Sequence, residues 1–363
     1  MKRLIIISII ITVAFDLHAS VPDSSGFKTQ ILPLPVIAYT PETNLILGAT
    51  ALGQFKLKGS GFNTRASNII TAGTYTLNNQ FLVQFDHAIF FPQEKYMWTG
   101  SVLFNKYPQS FWGIGADTQD EDEVLVDQQT ILLRQRLYTK VGAGLFTGPS
   151  VRFIRQFDVS FETKDGDIVE YPELIGSAGH TGFAAGWGLL YDKRNSLMTP
   201  THGFYLELNT LFQHTSLGST FSFGRIGLDG RKYFALNDDA NTVLGLQLLS
   251  EHAFGDVPFD LIPQIGGMMI LRGVYQGRYR DQSAVSMQTE FRQHIIWRIG
   301  AAAFIAAGNV GQSVPDVFNS GWKYAGGGGI RFNIGKAEKT NIRLDYGIGP
   351  DMSGFYITFG EAF

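Results

Sequence analysis

The densest group of chemically capable side chains in this 363-residue sequence lies in the segment LRGVYQGRYRD, residues 271–281. Its charged residues and glycines are Arg272, Arg278, Arg280, Asp281, Gly273 and Gly277. A guanidinium group pairs in a two-pronged geometry with carboxylates and phosphates, and it keeps its charge at neutral pH. The two glycines favour an irregular loop over a regular strand or helix. The segment is therefore predicted to be a loop that pairs with carboxylates of the protein or with phosphate groups.

No other group of residues predicts catalysis or metal binding. The seven histidines lack the spacing of a metal site, and no serine lies in a recognisable nucleophile motif. Glycine-rich runs at 142–148 and 326–329 lack the strand-to-helix context of a phosphate-binding loop. The acidic run at 117–123 is either a weak calcium site or a solvated loop, and the pattern favours the loop. We predict a protein that is not an enzyme and uses no metal or cofactor.

The composition is typical of a membrane protein without apolar helices. Charged residues make up 17% of the chain, whereas about a quarter is usual in soluble proteins. Glycine (42 residues) and phenylalanine (29 residues) are abundant. Beyond the N-terminus, no run reaches the roughly 18 apolar residues of a transmembrane helix. The net charge of −3 provides no basic field for nucleic acid. This composition favours a membrane β-barrel.

Apolar and polar residues alternate along segments of about ten residues. In NIRLDYGI, residues 341–348, one face carries isoleucine, leucine and tyrosine, and the other carries arginine and aspartate. A soluble β-sandwich also alternates, but its polar face would have an ordinary surface charge density. Here the second face carries fully charged side chains. This pattern indicates that the apolar face contacts lipid and that the charged face lines a water-filled lumen. We predict an all-β fold, a transmembrane antiparallel β-barrel of about sixteen strands.

The connections between the predicted strands fall into a long and a short class. The long connections are near 108–125, 158–179, 255–283 and 309–321. Outer-membrane barrels carry long loops on the outer side and short turns on the periplasmic side, so the arginine-rich segment lies in an outward loop. Because an arginine that faces lipid costs several kcal/mol, the loop must face water or fold into the lumen.

The N-terminus predicts export. A basic start, an apolar run and a small residue at the cleavage point form a signal peptide over residues 1–19, with a buried N-terminal helix as the alternative. Residues 20–32 are predicted to be a short periplasmic lead-in and residues 33–363 the barrel. The chain contains no cysteine, which excludes a lipid-modified N-terminus and disulfide bonds.

The final segment, GFYITFGEAF, resembles the C-terminal signal by which outer-membrane barrels are delivered for insertion. Alternation places its apolar residues on one predicted face, and these residues are Phe355, Ile357, Phe359 and Phe363. The alternative is an ordinary final strand.

Several motifs in the second half of the chain resemble a known family. They are GLLYDKRNSLMTPTHGFYLELN (188–209), LRGVYQGRYRD (271–281), QTEFR (288–292), AAGNVG (306–311), GGGIRFN (327–333) and NIRLDYGIGPDMSGFYITFGEAF (341–363). Residues 180–363 thereby resemble the bacterial surface antigen domain, which is the barrel of the BamA/TamA family of outer-membrane assembly proteins. The short lead-in leaves no room for the periplasmic POTRA repeats of that family, so a member reduced to its barrel is expected.

In that family, the outward loop folds back into the lumen, where two carboxylates hold the arginine at its tip. The resemblance makes Arg272 and Gly273 the tip, and Glu290 on the following strand the first carboxylate. We call the loop residues of this arrangement the loop-lock motif. Besides Arg272 and Gly273, they are Tyr275, Gly277, Arg278, Arg280 and Asp281.

Two positions depart from the family pattern. An aromatic residue usually follows the arginine–glycine pair, but here that position is Val274, with Tyr275 one place later. The second carboxylate usually lies three residues before the asparagine of the GN motif, and here that position is Ala306. The candidates to replace this second partner of the tip arginine are Arg280, Asp281 and Glu207. The alternative for the whole segment is an exposed basic loop that binds lipopolysaccharide phosphates.

The resemblance implies assisted insertion or export of other outer-membrane or surface proteins, through a junction between the first and last strands that opens sideways. The expected partners are outer-membrane lipids, client barrels or surface proteins, and separate periplasmic or lipoprotein partners, without nucleic acid. The expected location is the outer membrane of a Gram-negative bacterium. A plugged pore or structural barrel without insertase activity is the alternative, and a lipid-active enzyme is a third hypothesis.

Overall fold

The structure, a computed structural model, describes residues 27–40, 44–319, 321–334, 341–350 and 352–363. The predicted signal peptide and most of the predicted periplasmic lead-in lie outside the described residues. Within these ranges, no helix is both long and apolar enough to cross a membrane.

The described chain is mostly β-strand. Its strands are β1 (Gln30–Thr40), β2 (Asn44–Phe55), β3 (Ser67–Thr76), β4 (Phe81–Phe90), β5 (Tyr96–Lys106), β6 (Gln109–Phe111), β7 (Val124–Gly142), β8 (Leu145–Glu162), β9 (Ile168–Val169), β10 (His180–Asp192), β11 (Gly203–Gln213), β12 (Phe223–Ala235), β13 (Thr242–Gly255), β14 (Ser283–Ile296), β15 (Ile299–Gly311), β16 (Lys323–Asn333), β17 (Asn341–Ile348) and β18 (Ser353–Phe359). A short α-helix, α1 (Val314–Asn319), and one-turn 3₁₀ helices at Pro92–Glu94, Asp120–Asp122 and Thr215–Leu217 complete it. Apart from the short β6 and β9, sixteen full-length strands are present, which confirms the prediction.

The full-length strands pair antiparallel in sequence order. β5 pairs with β7 and β8 with β10, so the short strands stand outside this order. β18 lies beside β1, with Cα atoms of the two strands within 8 Å. Among the described residues, no backbone ladder joins β1 to β18, although ladders join β1 to β2 and β17 to β18. The sheet therefore curves round until its first and last strands lie side by side without a backbone ladder. We call this junction between β1 and β18 the seam.

The burial pattern of the strands is the reverse of that in a soluble protein. On β14, Glu290 is fully buried and Arg292 is 8% exposed, whereas Met287 and Phe291 are each 42% exposed. The charged side chains therefore point into the lumen and the apolar ones point outward. A large exposed apolar surface of this kind fits a lipid environment and not the surface of a soluble sandwich.

The connection at residues 256–282, between β13 and β14, is folded into the lumen. Leu271 and Val274 in this connection are fully buried, and they pack against Ala306 and Val310 of β15. The prediction of a lumen-folded outward loop is confirmed, and the alternative of an exposed basic loop is not what the structure shows. We call residues 256–282 the lumen loop.

The predicted placement of the C-terminal aromatic residues is wrong for one of them. Phe355 on β18 is 50% exposed and faces outward, and Ile357 is partly exposed. The Phe359 side chain lies outside the described part of the structure. Phe363 is buried in the lumen and does not share the outer face, because β18 ends at Phe359 and Gly360 adopts a φ of +77° that turns the chain inward.

Candidate functional site

Arg272 lies in a tight turn of the lumen loop and is fully buried. Gly273 follows it with a φ of +108°. A β-carbon at Gly273 would lie 2.5–2.7 Å from backbone atoms of residues 348–349, so this position accepts only glycine. The Gly273 N–H also donates a hydrogen bond to the Tyr356 hydroxyl at 3.0 Å. The turn is thereby seated against the end of β17 and against β18, the strand that forms the seam.

The Arg272 guanidinium lies between two buried carboxylates. Its Nη2 is 2.7 Å from Oε2 of Glu290, and its Nη1 is 2.5 Å from Oδ2 of Asp345. Its plane also lies over the Phe304 ring, 3.5 Å from the ring centroid. All three charged side chains have no solvent exposure. Two anionic partners and an aromatic face compensate for much of the loss of hydration that burial of a guanidinium entails.

The second carboxylate is Asp345 on β17, and none of the three candidate replacements occupies that place. Ala306 instead packs with the apolar side chains of the lumen loop. The three candidates make other contacts: Glu207 with Arg136, Asp281 with the N–H of Gln282, and Arg280 with the carbonyls of Gly277 and Phe259. The lock therefore keeps two acceptors, with the second moved from β15 to β17.

Glycines on β16 and β17 make room for this arrangement. A β-carbon at Gly329 would collide with the Asp345 carboxylate, and one at Gly347 would collide with the carbonyl oxygen of Arg272. A β-carbon at Gly327 would lie 2.7 Å from the Phe304 ring. The glycine run in this part of the sequence therefore provides the space into which the loop and its partners fit.

Arg272 is part of a larger group of buried charges, which we call the lock cluster. Its members are Arg272, Arg292, Arg331, Arg343, Glu290, Asp345 and Glu361, each at most 8% exposed. Arg331 contacts Asp345 at 2.5 Å and Glu361 at 2.8 Å, and Arg292 contacts Glu290 at 2.7 Å. Buried ion pairs of this kind fix the position of groups more than they add net stability. Alternation on β17 could have identified Arg343 and Asp345, because it places both on the inward face.

The last residues of the chain connect the lock cluster to the turn between β10 and β11. The Phe363 ring stacks on Tyr233 with centroids 5.9 Å apart, and Arg292 donates to the Phe363 backbone oxygen at 3.0 Å. The Glu361 N–H donates to the carbonyl of Met198 at 3.1 Å. A continuous set of contacts therefore runs from Arg272 in the lumen loop to Phe363.

The other residues of the loop-lock motif hold the lumen loop against the connection between β5 and β7. The Tyr275 hydroxyl accepts a hydrogen bond from the Ser110 N–H at 3.1 Å, and its ring contacts Trp112. Arg278 lies over the Trp112 ring and contacts Asp120 at 2.7 Å. The acidic run at 117–123 thus supplies a partner for Arg278.

Arg280 holds the shape of the lumen loop from within. It donates to the Gly277 carbonyl at 2.9 and 3.0 Å, and Gly277 has a φ of +78°. Burial lowers the pKa of Arg280 to about 10, which leaves its guanidinium charged at neutral pH. The loop residues predicted from the sequence therefore divide into Arg272 and Gly273, which meet the lock cluster, and the others, which brace the loop.

Sixteen full-length antiparallel strands with charges inside, apolar residues outside and an arginine-held loop in the lumen define a transmembrane β-barrel of the outer-membrane type. The family model of the Omp85 superfamily domain matches residues 124–363, more than half of the chain. The chain belongs to the Omp85 superfamily, and its resemblance to the BamA/TamA barrels is confirmed.

Solved structures share this fold at low sequence identity. BamA from Haemophilus ducreyi lacking POTRA domains 1-3 has a TM-score of 0.59 at 13% identity, with 92% of this chain and 70% of that chain covered. CdiB from Acinetobacter baumannii has a TM-score of 0.54 at 13% identity, with 91% and 59% covered. CdiB from Escherichia coli has a TM-score of 0.59 at 11% identity, with 91% and 62% covered. This chain thus spans less than two thirds of either CdiB chain. No curated protein matches it.

Proposed function

We propose that this protein is an outer-membrane assembly barrel, which assists the insertion or export of other outer-membrane or surface proteins together with separate periplasmic or lipoprotein partners. The observation that carries the proposal is the seam. A strand edge with unpaired N–H and C=O groups is a template for an added strand. β1 has 11 residues and β18 has 7, so β18 is too short to pair with the whole edge of β1.

Two prolines in β1 support this role for the seam. Pro33 and Pro35 lie in the ladder with β2, opposite Ala51 and Ala49. A proline has no N–H to donate, and within a sheet it is found on edge strands, with its donor-free side away from the ladder. Alternate residues of a strand point their N–H groups in the same direction, so the two prolines weaken one edge. That edge would hold β18 loosely, and a client strand would pair with its remaining N–H and C=O groups.

The lock cluster supports the proposal from the other side of the seam. Arg272, through Asp345, and Gly273, through Tyr356, attach the lumen loop to β17 and β18. The lumen loop thereby supports β17 and β18 from inside the barrel, while the edge of β18 at the seam forms no ladder. Such an arrangement would keep the barrel folded while the seam accepts a strand.

The filled lumen favours a second candidate, a plugged pore or structural barrel. The lumen loop and the lock cluster occupy the interior, as they would in a barrel whose only task is to seal or stiffen the membrane. A folded barrel without any effect on client folding would support this candidate over assembly, and its conductance in planar bilayers would distinguish a leaky pore from a sealed structural barrel.

We expect that cross-linking the seam will abolish assembly activity. The chain contains no cysteine, so a cysteine at Leu32 can be combined in turn with cysteines at positions 354–358 without background. Purified variants in proteoliposomes would receive an unfolded eight-stranded outer-membrane barrel, whose folding is followed by its heat-modifiable mobility in gel electrophoresis. Oxidation of a seam pair should stop client folding and reduction should restore it, because the edge of β1 is blocked only while the disulfide exists.

The matched control is a disulfide between β2 and β3, where Ala51 and Thr71 are already paired in register. This pair should form a disulfide and leave client folding unchanged. Equal client folding in the oxidised and reduced seam variants would contradict the assembly role.

A further inference from the structure

A second group of arginines lies in the lumen, away from the lock cluster. Arg134 on β7 and Arg152 on β8 are direct partners in the ladder between these strands. Like charges directly opposite each other destabilise a sheet. Arg152 is 3% exposed, so water screens this repulsion poorly at that guanidinium. The pairing requires a compensating interaction.

These arginines line a partly open cavity in the interior. The cavity has a volume of about 90 Å³ and is lined by Arg134, Arg136, Arg152, Asn209, Leu211, Arg225, Gly227 and Glu251. One water molecule needs on the order of 10–15 Å³ of such volume, so the cavity has room for a tetrahedral ion. Four of its eight lining residues are arginines. Such a concentration of positive charge is typical of an anion-binding site.

The carboxylates nearby are already engaged with other groups. Glu207 contacts Arg136 at 2.9 Å, and Glu251 contacts Arg225 at 2.7 Å. Asp260 of the lumen loop contacts His180 at 2.8 Å. The positive charge of Arg134 and Arg152 is therefore left without a carboxylate contact among the described residues.

Arg152 shows most clearly that this group of arginines lacks acceptors. Its Nε and Nη2 atoms are buried and have no hydrogen-bond partner among the described residues. Its guanidinium lies over the Phe223 ring at 5.5 Å, a contact that places the group without accepting its N–H bonds. Buried charged donors carry a large desolvation penalty unless an acceptor meets them. The lock cluster, by contrast, gives Arg272 two carboxylates.

We propose that this cavity binds a phosphate-type oxyanion, held by Arg152 and Arg134. A tetrahedral oxyanion carries several acceptor oxygens, and a guanidinium binds two of them at once. The bound anion would accept the two free N–H groups of Arg152 and offset its repulsion with Arg134. Inorganic phosphate and the phosphate of a lipid headgroup share this chemistry. The site is independent of whether the seam accepts client strands.

The test is phosphate binding to the folded, full-length barrel in a non-ionic detergent. Titration with inorganic phosphate in chloride buffer at constant ionic strength, followed by calorimetry, should show saturable binding. Arg152→Gln should weaken it about tenfold to a hundredfold, because a hydrogen bond to a charged group contributes roughly 1.5–3 kcal/mol. Arg134→Gln should weaken it similarly. Arg155→Gln is the matched control, because Arg155 is exposed on the same strand and outside the cavity.

Thermal unfolding gives a second readout that does not depend on detecting the ion. Without phosphate, Arg152→Gln should unfold at a higher temperature than the wild type, because it removes an uncompensated buried charge. Phosphate should raise the unfolding temperature of the wild type and of Arg155→Gln, and raise that of Arg152→Gln much less at the same concentration. Heat-modifiable mobility in gel electrophoresis would verify that each variant is folded.

A short-chain phosphatidic acid distinguishes the two sources of phosphate. Tighter binding of this lipid than of inorganic phosphate, with the same dependence on Arg152, would identify a headgroup as the ligand. Weaker or equal binding would identify the free ion. Saturable binding of neither ligand, or equal losses in Arg152→Gln and Arg155→Gln, would overturn the proposal.

Discussion

Replacement of Asp345 by asparagine is expected to free the lumen loop and to destabilise the barrel by about 3–5 kcal/mol. The change keeps the shape of the side chain but leaves Arg272 and Arg331 without one of their buried carboxylates. Removing one partner of a buried ion pair leaves an uncompensated charge, which is more costly than removing the whole pair. Trypsin cleavage after the loop arginines would measure release of the loop, and equilibrium unfolding in urea would measure the free energy of unfolding.

The control is Asp127→Asn, which breaks an ion pair with Lys106 whose side chains are 38% and 44% exposed. An exposed pair contributes about 0–1 kcal/mol, so this variant should unfold like the wild type and resist trypsin. The double variant Arg272→Met with Asp345→Asn should be less destabilised than the sum of the two single changes, because it removes both members of this pair. Glu290 and Arg331 each lose one partner but keep Arg292 and Glu361. Strict additivity would show that the two side chains do not act together.

Replacement of Gly347 by alanine is expected to prevent the tip of the lumen loop from reaching its seat. The added β-carbon would collide with the carbonyl oxygen and carbon of Arg272, which are backbone atoms fixed by the turn at Gly273. Overpacking of a buried site costs about 1–3 kcal/mol, and here a backbone must move to relieve it. The variant should expose the loop arginines to trypsin although every charged residue of the lock cluster is retained.

Gly73→Ala on β3 is the matched control, because a β-carbon there would meet nothing within 4 Å. It should fold and resist trypsin like the wild type. If Gly347→Ala also left the loop protected, the close approach of the loop tip to β17 would be contradicted.

Much of the fold follows from the sequence, because the determinants are local. The two-residue alternation on segments such as β17 gives both the strand and its inward face, and a wet lumen explains why Arg343 and Asp345 occupy that face. The strand count follows from the same pattern. The short strands β6 and β9 have 3 and 2 residues, too few for a periodic signal, and they were not predicted.

The lock was predictable in part. Arg272, Gly273 and Glu290 follow from the resemblance to the BamA/TamA family, whose motifs lie close together in this part of the sequence. Asp345 was missed, because its contact with Arg272 joins residues 73 positions apart and depends on how β14 to β17 curve around the loop. Alternation along β17 places Asp345 inward but does not identify its partner.

The other differences have the same origin. Phe363 lies an even number of residues from Phe355, so alternation predicts that both share one face. That rule holds only within a continuous strand, and the left-handed conformation of Gly360 ends the strand. The cavity around Arg152 brings together residues from β7, β8, β11, β12 and β13, so no single segment of the sequence indicates it.

The most direct test of the assembly role is photocross-linking of a client strand to the seam. A photoreactive phenylalanine analogue would replace Ile31 on β1, which is 57% exposed, or Tyr75 on β3, which is 52% exposed and serves as the control. Proteoliposomes with each variant would be irradiated while an unfolded eight-stranded barrel is folding. If client strands pair with the seam, a client adduct will form at Ile31 and little at Tyr75, and the Ile31 adduct will be lost when the seam is closed by a disulfide. Equal adducts at both positions, or an Ile31 adduct that survives closure, would contradict it.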